Sequence, residues 1–516
     1  MKMFCLIMVL LCSCSAQWDP HTVDNRQVIV HLFEWKWTDI ADECERYLGP
    51  FGFGGVQISP PSEHRVIRSP WRPWWERYQP VSYELTSRSG TEIQLRDMIR
   101  RCHQAGVRIY VDAVINHMAR GDSGYGIAGN WYDVNTLNYP GVPYNITDFG
   151  RTNNKCKSDS GNVEDNDDVN QVRNCRLLGL PDLDTSRDDV RAKISDYMNH
   201  LIDMGVTGFR VDAAKYIWPE DLGNILRRLN NLSTEYFPSG RRPFVYQEVI
   251  DKNGAGIRRN MTEAEYVPFG RVTEFKYGPQ LGEAVRGLRN LSNINNWMKS
   301  EGMLDDSSAL VFVDNHDNQR GHGGGKGIIT FKEPEKYKIS NVFMLAYPYG
   351  FTRVMSSFVF DNTEAGPPAD ANGYTLTVTV YEDGTCGGGW VCEHRWRPIR
   401  NMVAFRNIAA GQPLRNWWSN GSQQIAFGRG DRAFVVINND DYRLSQALNT
   451  GLPTGEYCNI IVGDFDPLTA TCSGPTIRVD QSGNANFSID TSADPMVAIH
   501  VGARVDQSIF GRPSEC

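Results

Sequence analysis

The sequence predicts an α/β fold built on a (β/α)8 barrel of the TIM type, with an insert after the third strand and a C-terminal antiparallel β-sandwich domain. Three observations carry this reading. An amphipathic helical segment, a glycine and a β-branched run follow one another twice, at 91–114 and 186–213. Eight short apolar runs lack clean alternation, as strands covered on both faces do. Beyond residue 412 the runs are divided by turn residues with no helix between them.

Taken in order, Met1-Lys2, an apolar run at 3–11 and the small residues Cys14-Ser-Ala16 read as a signal peptide over 1–16. The run is shorter than the roughly 20 residues a bilayer span needs, and no later stretch reaches that length. A secreted, soluble mature chain is expected. Strand one is 28–33, a helix is expected over 38–48, and strand two is 55–58, closed by Pro60-Pro61. Thr91-Glu-Ile-Gln94 has capping-box spacing, Leu95, Met98, Ile99 and Cys102 share a helical face, Gly106 stops the helix, and strand three follows at 107–114. Ser186, three residues before Asp189, opens the next repeat; Gly205 ends it and strand four is 208–213. Further strands are expected at 244–249, 271–275, 309–314 and 353–356. Eight strands favour a closed barrel over an open doubly wound sheet.

The domain boundaries expected are 17–115 with 183–411 for the barrel, 116–182 for the insert, 412–507 for the β domain and 508–516 for a tail. The insert is rich in Gly, Asn and Asp, and a bridge between Cys156 and Cys175 would brace it. In the β domain, strands are expected at 424–427, 433–437, 456–461, 476–479, 486–489 and 496–500.

Hydrophobic content of 41%, charged content of 22% and 13 Trp describe a packed globular protein. A net charge of −8 argues against nucleic acid or an acidic membrane surface as partner. Past the signal, nine cysteines remain. In an oxidising compartment Cys44, Cys102, Cys156, Cys175, Cys386, Cys392, Cys458 and Cys472 favour disulfides, whose pairing the sequence leaves open, with Cys516 left over. Sequons stand at Asn145, Asn231, Asn260, Asn290, Asn420 and Asn486.

Functional groups of such a barrel sit at the C-terminal ends of its strands. Strand three ends in Asp112, Asn116 and His117, strand four in Asp212, strand five in Glu248, and strand seven runs into Asn315-His-Asp317. Asp212, Glu248 and Asp317, three carboxylates on one rim, suit glycosidic cleavage, where one must stay ionised and another must hold a proton. Arg210, on the face of Asp212, favours the charged form there. Glu248, behind Tyr246 and Gln247 at an apolar strand end, suits the proton-bearing role. Asp317, His117 and His316 are placed to hold sugar hydroxyls.

Four stretches, Asp112-Ala-Val-Ile-Asn-His117, Gly208-Phe-Arg-Val-Asp-Ala-Ala-Lys215, Tyr246-Gln-Glu-Val-Ile-Asp251 and Phe312-Val-Asp-Asn-His-Asp317, resemble those of the α-amylase family of glycoside hydrolases, in its secreted, chloride-dependent animal form. The resemblance spans nearly the whole mature length. It implies endo hydrolysis of α-1,4-glucan with retention, by a monomer, with Asp212 as nucleophile, Glu248 as acid/base and Asp317 as the carboxylate that positions the sugar. Substrate contacts fall by resemblance on Trp74, Trp75, Tyr78, Gln79, His117, Lys215, His316 and His322. The last lies in the glycine-rich stretch 321–327, which lacks P-loop spacing. Calcium is implied at Asn116, Arg173 and Asp182, with Tyr216 where the family usually carries His; Arg173 and Tyr216 would offer main-chain carbonyls. Chloride is implied at Arg210, Asn315 and Arg353, against the alternative that the arginines pair with carboxylates. A disulfide that some relatives carry from the region of Thr86 to the insert is missing. A transglycosylase or maltase using the same carboxylates, or a non-catalytic glucan-binding protein, are the other readings.

Overall fold

The computed structural model describes residues 17–23, 26–150, 155–251, 261–323, 325 and 327–505. The expected signal peptide, the tail with Cys516 and the Asn260 sequon lie outside the described residues.

Eight parallel strands close into a barrel in which each strand pairs with its neighbours in the chain: β1 (Val28–Leu32), β2 (Gly55–Ile58), β3 (Arg108–Ala113), β4 (Gly208–Val211), β5 (Phe244–Gln247), β6 (Arg271–Thr273), β7 (Ala309–Val311) and β8 (Phe351–Ser356). Every residue of β1, β2, β4 and β5 is buried, which explains the unalternating runs. Ile29, Tyr110, Phe244, Tyr246, Leu310, Phe312 and Phe351 form an apolar plug inside the barrel. A larger core lies between strands and helices.

The repeat read from sequence is present. Helix α2 (Glu92–Gln104) opens on a Thr91 and Gln94 capping box and buries Leu95, Met98, Ile99 and Cys102. Gly106 (φ 72°) and Gly205 (φ 105°) turn the chain from helix into strand through left-handed backbone. Two expectations are corrected. The first helix, α1, is α-helical only over Trp37–Glu43 and widens into a π turn at Cys44–Leu48, ending where the Gly49 N–H reaches the Cys44 carbonyl. Ser186 does not cap the later helix (Asp188–Asp203): Arg187 holds that position, and the Ser186 hydroxyl donates to Asp184 Oδ1 at 2.5 Å.

Strands β4 to β7 end earlier than expected, and after β7 the chain enters a loop held by side chains. After β7, Asn315 Oδ1 accepts the N–H groups of Asp317 (3.1 Å) and Asn318 (2.7 Å), while Asn318 Oδ1 accepts that of Asn315 (2.7 Å). The turn carrying Asp317 is thus fixed by its own asparagines.

The insert leaves the barrel after β3 and returns along itself. Met118 N–H bonds the Pro181 carbonyl and Leu183 N–H the Asn116 carbonyl, both at 3.0 Å, which sets Asn116 and His117 beside Asp182. Four disulfides join Cys44 to Cys102, Cys156 to Cys175, Cys386 to Cys392 and Cys458 to Cys472. The second braces the insert.

The C-terminal module contains an antiparallel four-stranded sheet, β9 (Leu414–Ser419), β10 (Gln424–Arg429), β11 (Ala433–Asn438) and the final strand Met496–His500, faced by antiparallel pairs. Alternation places Ala426, Phe434 and Val436 in the core between the layers, and Ile425, Phe427, Val435 and Ile437 in the core shared with the barrel. Four strands of this module escaped the sequence reading, the two longer ones being β9 and Leu444–Asn449, beside the short pair Phe465–Asp466 and Thr471–Cys472. Strand β9 has a register shift between Arg415 and Trp418, with Asn416 at φ 50°, and strand Leu444–Asn449 buries only Leu444 and Leu448.

Candidate active site

Arg210 is the centre of the rim. Its partner in register on β3 is Asp112, and on β5 Tyr246. Its Nη1 donates to Asp112 Oδ1 at 2.5 Å and to Asp212 Oδ1 at 3.0 Å, and its Nη2 lies 2.5 Å from Glu248 Oε1. That last contact is close but off the N–H direction, so it is Coulombic rather than a hydrogen bond. One guanidinium therefore serves three buried carboxylates.

The backbone fixes the two carboxylates that follow β4 and β5. Asp212 N–H reaches the Ala113 carbonyl (3.1 Å) and Glu248 N–H the Val211 carbonyl (2.9 Å), so the sheet ladder extends into the rim. Ala213, in left-handed backbone at φ 49°, donates its N–H to Glu248 Oε2 at 2.9 Å. This is a conformation that non-glycine residues rarely adopt, held here at the site. The expectation of an apolar setting for Glu248 is corrected: its two oxygens face a guanidinium and a main-chain donor. The expectation for Asp212 also changes. Burial pushes its carboxyl well up, Arg210 opposes this, and Glu248 and Asp112 add to the rise.

Asp317, after β7, is pushed up to about 7 by burial and then by Glu248. Beside it, the His316 ring lies between Phe33 (5.0 Å) and Tyr78 (5.2 Å), stacked on both. Burial, then the Arg210 charge, holds His316 well below the usual histidine range, so it is neutral. His117 is likewise held down to about 4 by burial and contacts the Tyr78 carbonyl at 3.0 Å through Nε2.

The aromatic stretch after β2 forms a short 3-10 turn, Trp74–Tyr78, and its members differ. Trp74 is 5% exposed and donates Nε1–H to the Thr363 carbonyl at 2.9 Å, lying beneath the rim. Trp75 and Tyr78 are half-buried; Trp75 donates to Glu364 Oε2 (2.6 Å) and Tyr78 to Asp112 Oδ2 (2.9 Å). Gln79 is buried and accepts the Arg120 N–H at 3.2 Å. Lys215 donates to the Ile250 carbonyl at 3.2 Å. His322 is the most open of the set, its Nε2 3.9 Å from Glu364 Oε1.

Of the residues expected at an anion, Arg210 is engaged by carboxylates, the alternative weighed for both arginines. Arg353 is not: it donates to Gln57 Oε1 at 2.7 Å and lies over the Phe312 ring at 4.6 Å, and among the described residues it has no carboxylate partner. Asn315 is spent on its turn through Oδ1.

Of the residues expected at a cation, Asn116 and Asp182 are brought together by the insert's return strand, and Asp182 and Arg173 line one small cavity. The Arg173 side chain points elsewhere, to Glu265 Oε2 (2.9 Å) and over the Trp218 ring (5.1 Å). Tyr216 lies in the turn Ala214–Tyr216, which packs on the Arg173 helix (Val169–Asn174). Among the described residues Asp182 has no ion-pair partner, and no group of three or more His, Cys, Asp or Glu is placed to hold a metal. The set is made of one carboxylate, one amide and carbonyls, a hard-oxygen set of the kind calcium takes.

Sequence reasoning gave Asp112, Gln57 and Arg320 no role. Asp112 was recoverable from strand register, since it stands opposite Arg210. Arg320 was not. It donates to the His316 carbonyl at 2.8 Å and lies over Phe360 (4.1 Å), Phe358 (4.9 Å), Phe33 (5.3 Å) and Trp74 (5.5 Å), a cage assembled from distant segments.

Residues 47–241 match the family described as alpha amylase, catalytic domain, and residues 417–502 match alpha amylase, C-terminal all-beta domain. The chain is 55% identical to an alpha-amylase of Oryzias latipes, covering 98% of this chain and all of that one. It is 53% identical to pancreatic alpha-amylase 2a5 of Mus musculus, covering 97% of this chain and all of that one. Among solved structures, a mutant of alpha-amylase I from Eisenia fetida in complex with maltohexaose superposes with a TM-score of 0.89 at 47% identity, covering 94% of this chain and 99% of that one. With a closed parallel barrel, a carboxylate-lined rim and a C-terminal all-β module in one chain, and with relatives at this level over its whole length, the chain belongs to the alpha-amylase family.

Proposed function

We propose that this chain is a secreted, monomeric, endo-acting α-amylase that hydrolyses internal α-1,4-glucosidic bonds of starch and glycogen with retention of configuration. The observation that carries the reading is the convergence of Asp212, Glu248 and Asp317 on one barrel rim around Arg210, in a member of this family.

In this reading Asp212 attacks the anomeric carbon while Glu248 gives its proton to the leaving glycosidic oxygen, forming a glycosyl-enzyme. Glu248 then takes a proton from water, which attacks the same carbon and releases Asp212. The Ala213 N–H holds Glu248 in place through Oε2. Asp317, with its carboxyl near 7, carries a proton for part of the time at neutral pH and can donate it to a sugar hydroxyl. Trp75 and Tyr78 offer ring area for sugar stacking; Gln79, His117, Lys215, His316 and His322 are assigned to the surrounding subsites, with Trp74 supporting them from below. The substrate is an α-glucan, with neither nucleic acid nor membrane as partner. Four disulfides and the absence, among the described residues, of any helix long and apolar enough to cross a membrane support secretion.

Calcium is assigned to Asn116, Asp182 and the carbonyls of Arg173 and Tyr216, where among the described residues the buried Asp182 carboxylate has no cation in ion-pair contact; bound there, it would tie the insert to the barrel. Chloride is assigned to Arg353, Arg210 and Asn315, supported by the buried Arg353 charge, which among the described residues has no carboxylate in ion-pair contact.

The test is a product time course on soluble starch. Rapid loss of viscosity with short maltooligosaccharides from the wild type, and turnover lower by about 10³-fold or more for Glu248→Gln, is the expected result. Glucose alone or longer transfer products would point to a maltase or transglycosylase. No turnover would point to a glucan-binding protein.

A further inference from the structure

Arg320 closes the short 3-10 turn Asn318–Arg320 that follows Asp317. It is 3% exposed, yet among the described residues no carboxylate is in ion-pair contact with it, and its Nε and Nη2 make no hydrogen bond. A buried charge in that condition needs another source of compensation. The faces of Phe33, Trp74, Phe358 and Phe360 supply it. These rings come from the segments after β1, β2 and β8, which follow β7 in turn around the barrel.

The cage and the rim share parts. Phe33 stacks on His316 at 5.0 Å and Trp74 meets the same ring edge-on at 5.5 Å. Arg320 Nη1 donates to the His316 carbonyl at 2.8 Å, and the N–H at the other end of that peptide, belonging to Asp317, is held by Asn315 Oδ1 at 3.1 Å. A peptide is planar, so fixing both its polar ends fixes the direction in which the chain enters Asp317. On the far side the Asp317 carbonyl accepts the N–H groups of Arg320 (3.0 Å) and His322 (3.1 Å). Arg320 thus grips the backbone before and after the carboxylate.

We infer that Arg320 is a positioning residue for the reaction assigned above: held by four rings, it fixes the backbone on both sides of Asp317 and sets an uncompensated positive charge beside that carboxylate. The inference rests on the assignment of Asp317 as the group that positions the sugar. Besides burial, which pushes it up, Asp317 is faced by Glu248 and Asp112, which oppose its charge, and by Arg210 and Arg320, which favour it. His316, 3.9 Å away through Nε2, is neutral, and Tyr78 adds a phenol whose own proton is held tightly by burial. Arg320 in turn feels Asp317, Glu34, Tyr78, Asp314 and Glu393, and shares the Phe360 ring with Lys332. Burial brings Arg320 down to about 10, so it is a cation at neutral pH. Without it Arg210 alone opposes Glu248 and Asp112, and Asp317 keeps its proton to higher pH.

The experiment compares wild type, Arg320→Gln and Arg320→Lys, as full chains, in kcat and KM on maltopentaose across pH. For Arg320→Gln the expected result is kcat lower by about tenfold with KM within about twofold, and the limb near pH 7 moved up by about one pH unit. Arg320→Lys, which keeps a cation over the rings, should return that limb to its wild-type position. An Arg320→Gln protein that melts lower but keeps wild-type kcat and an unmoved limb would overturn the inference. Where Arg320→Gln does not fold, Phe360→Leu decides: loss of the ring nearest the guanidinium should lower kcat about threefold with KM unchanged, and wild-type kcat would overturn the inference. Failure of the underlying reading is separately visible, as wild-type protein that does not cleave maltopentaose or as normal turnover by Asp317→Asn.

Discussion

The Nη2 of Arg210 lies 2.5 Å from Oε1 of Glu248 while the Nη1 of the same guanidinium holds Asp212, so the two carboxylates assigned to catalysis share one cation. Replacing it by Arg210→Gln would leave buried carboxylates unpaired, at a cost of about 3–5 kcal/mol. Arg210 favours the ionised forms, so its loss should also move the acidic limb of the pH profile of kcat/KM to higher pH. Thermal melting and the pH profile together check this. A destabilised variant with an unmoved acidic limb would leave Arg210 a purely structural residue.

Arg353 differs from Arg210 in having Gln57 rather than a carboxylate as its close partner. Burial lowers the hold of Arg353 on its proton, and the neighbouring Arg210 is one of the groups adding to that. An anion between them would relieve both. Dialysis against chloride-free buffer should therefore reduce wild-type activity, with recovery on adding chloride back. Arg353→Gln should remove the chloride response while retaining Asp212, Glu248 and Asp317. Wild-type rates independent of chloride across the pH range would sink the assignment.

Asp182 is buried beside Asn116 with no protein cation in contact among the described residues. If calcium fills that role, chelation should lower the thermal midpoint and make the insert more susceptible to protease. An ion at a hundred times its dissociation constant contributes about 2.7 kcal/mol. Asp182→Asn should already melt low and respond little to chelator. Equal responses in wild type and variant would count against this placement.

What the sequence disclosed and what it hid divide along the distance over which information travels. Barrel strands were legible because burial on both faces leaves unbroken runs such as Val28 to Leu32, and the α2 cap was legible because Thr91 and Gln94 are three residues apart. Ser186 misled because Asp184, two residues before it, competes for its hydroxyl. The ends of strands told where carboxylates would gather, but not how they would share charge: the Asp112 contact depends on the register of β3 against β4. The Arg320 cage, built from Phe33, Trp74, Phe358 and Phe360, has no local signature at all. The platform was half legible. Its aromatic run predicts rings near the cleft, yet only the fold determines that Trp74 lies underneath.

His500, on the last strand of the C-terminal module, lies far in sequence from the catalytic rim and offers a pH probe independent of it. Its Nδ1 accepts the Gly502 N–H at 3.1 Å, which requires that nitrogen to be unprotonated, and burial holds the ring down to about 4. An unfolded histidine titrates near 6.5, so below that pH the unfolded chain binds the extra proton and the folded one does not. The contribution to stability is complete above about pH 6.5 and is lost as pH falls towards and through 4. Over that interval the loss amounts to about 3 kcal/mol. His500→Gln should therefore melt lower than wild type at pH 8 and converge on it as the pH falls to 4, with kcat on maltopentaose unchanged at neutral pH. Parallel melting curves for the two proteins over that range would show that His500 titrates alike in folded and unfolded chains, and the acid sensitivity would then lie with other buried histidines, among them His103 and His117, both also held down to about 4.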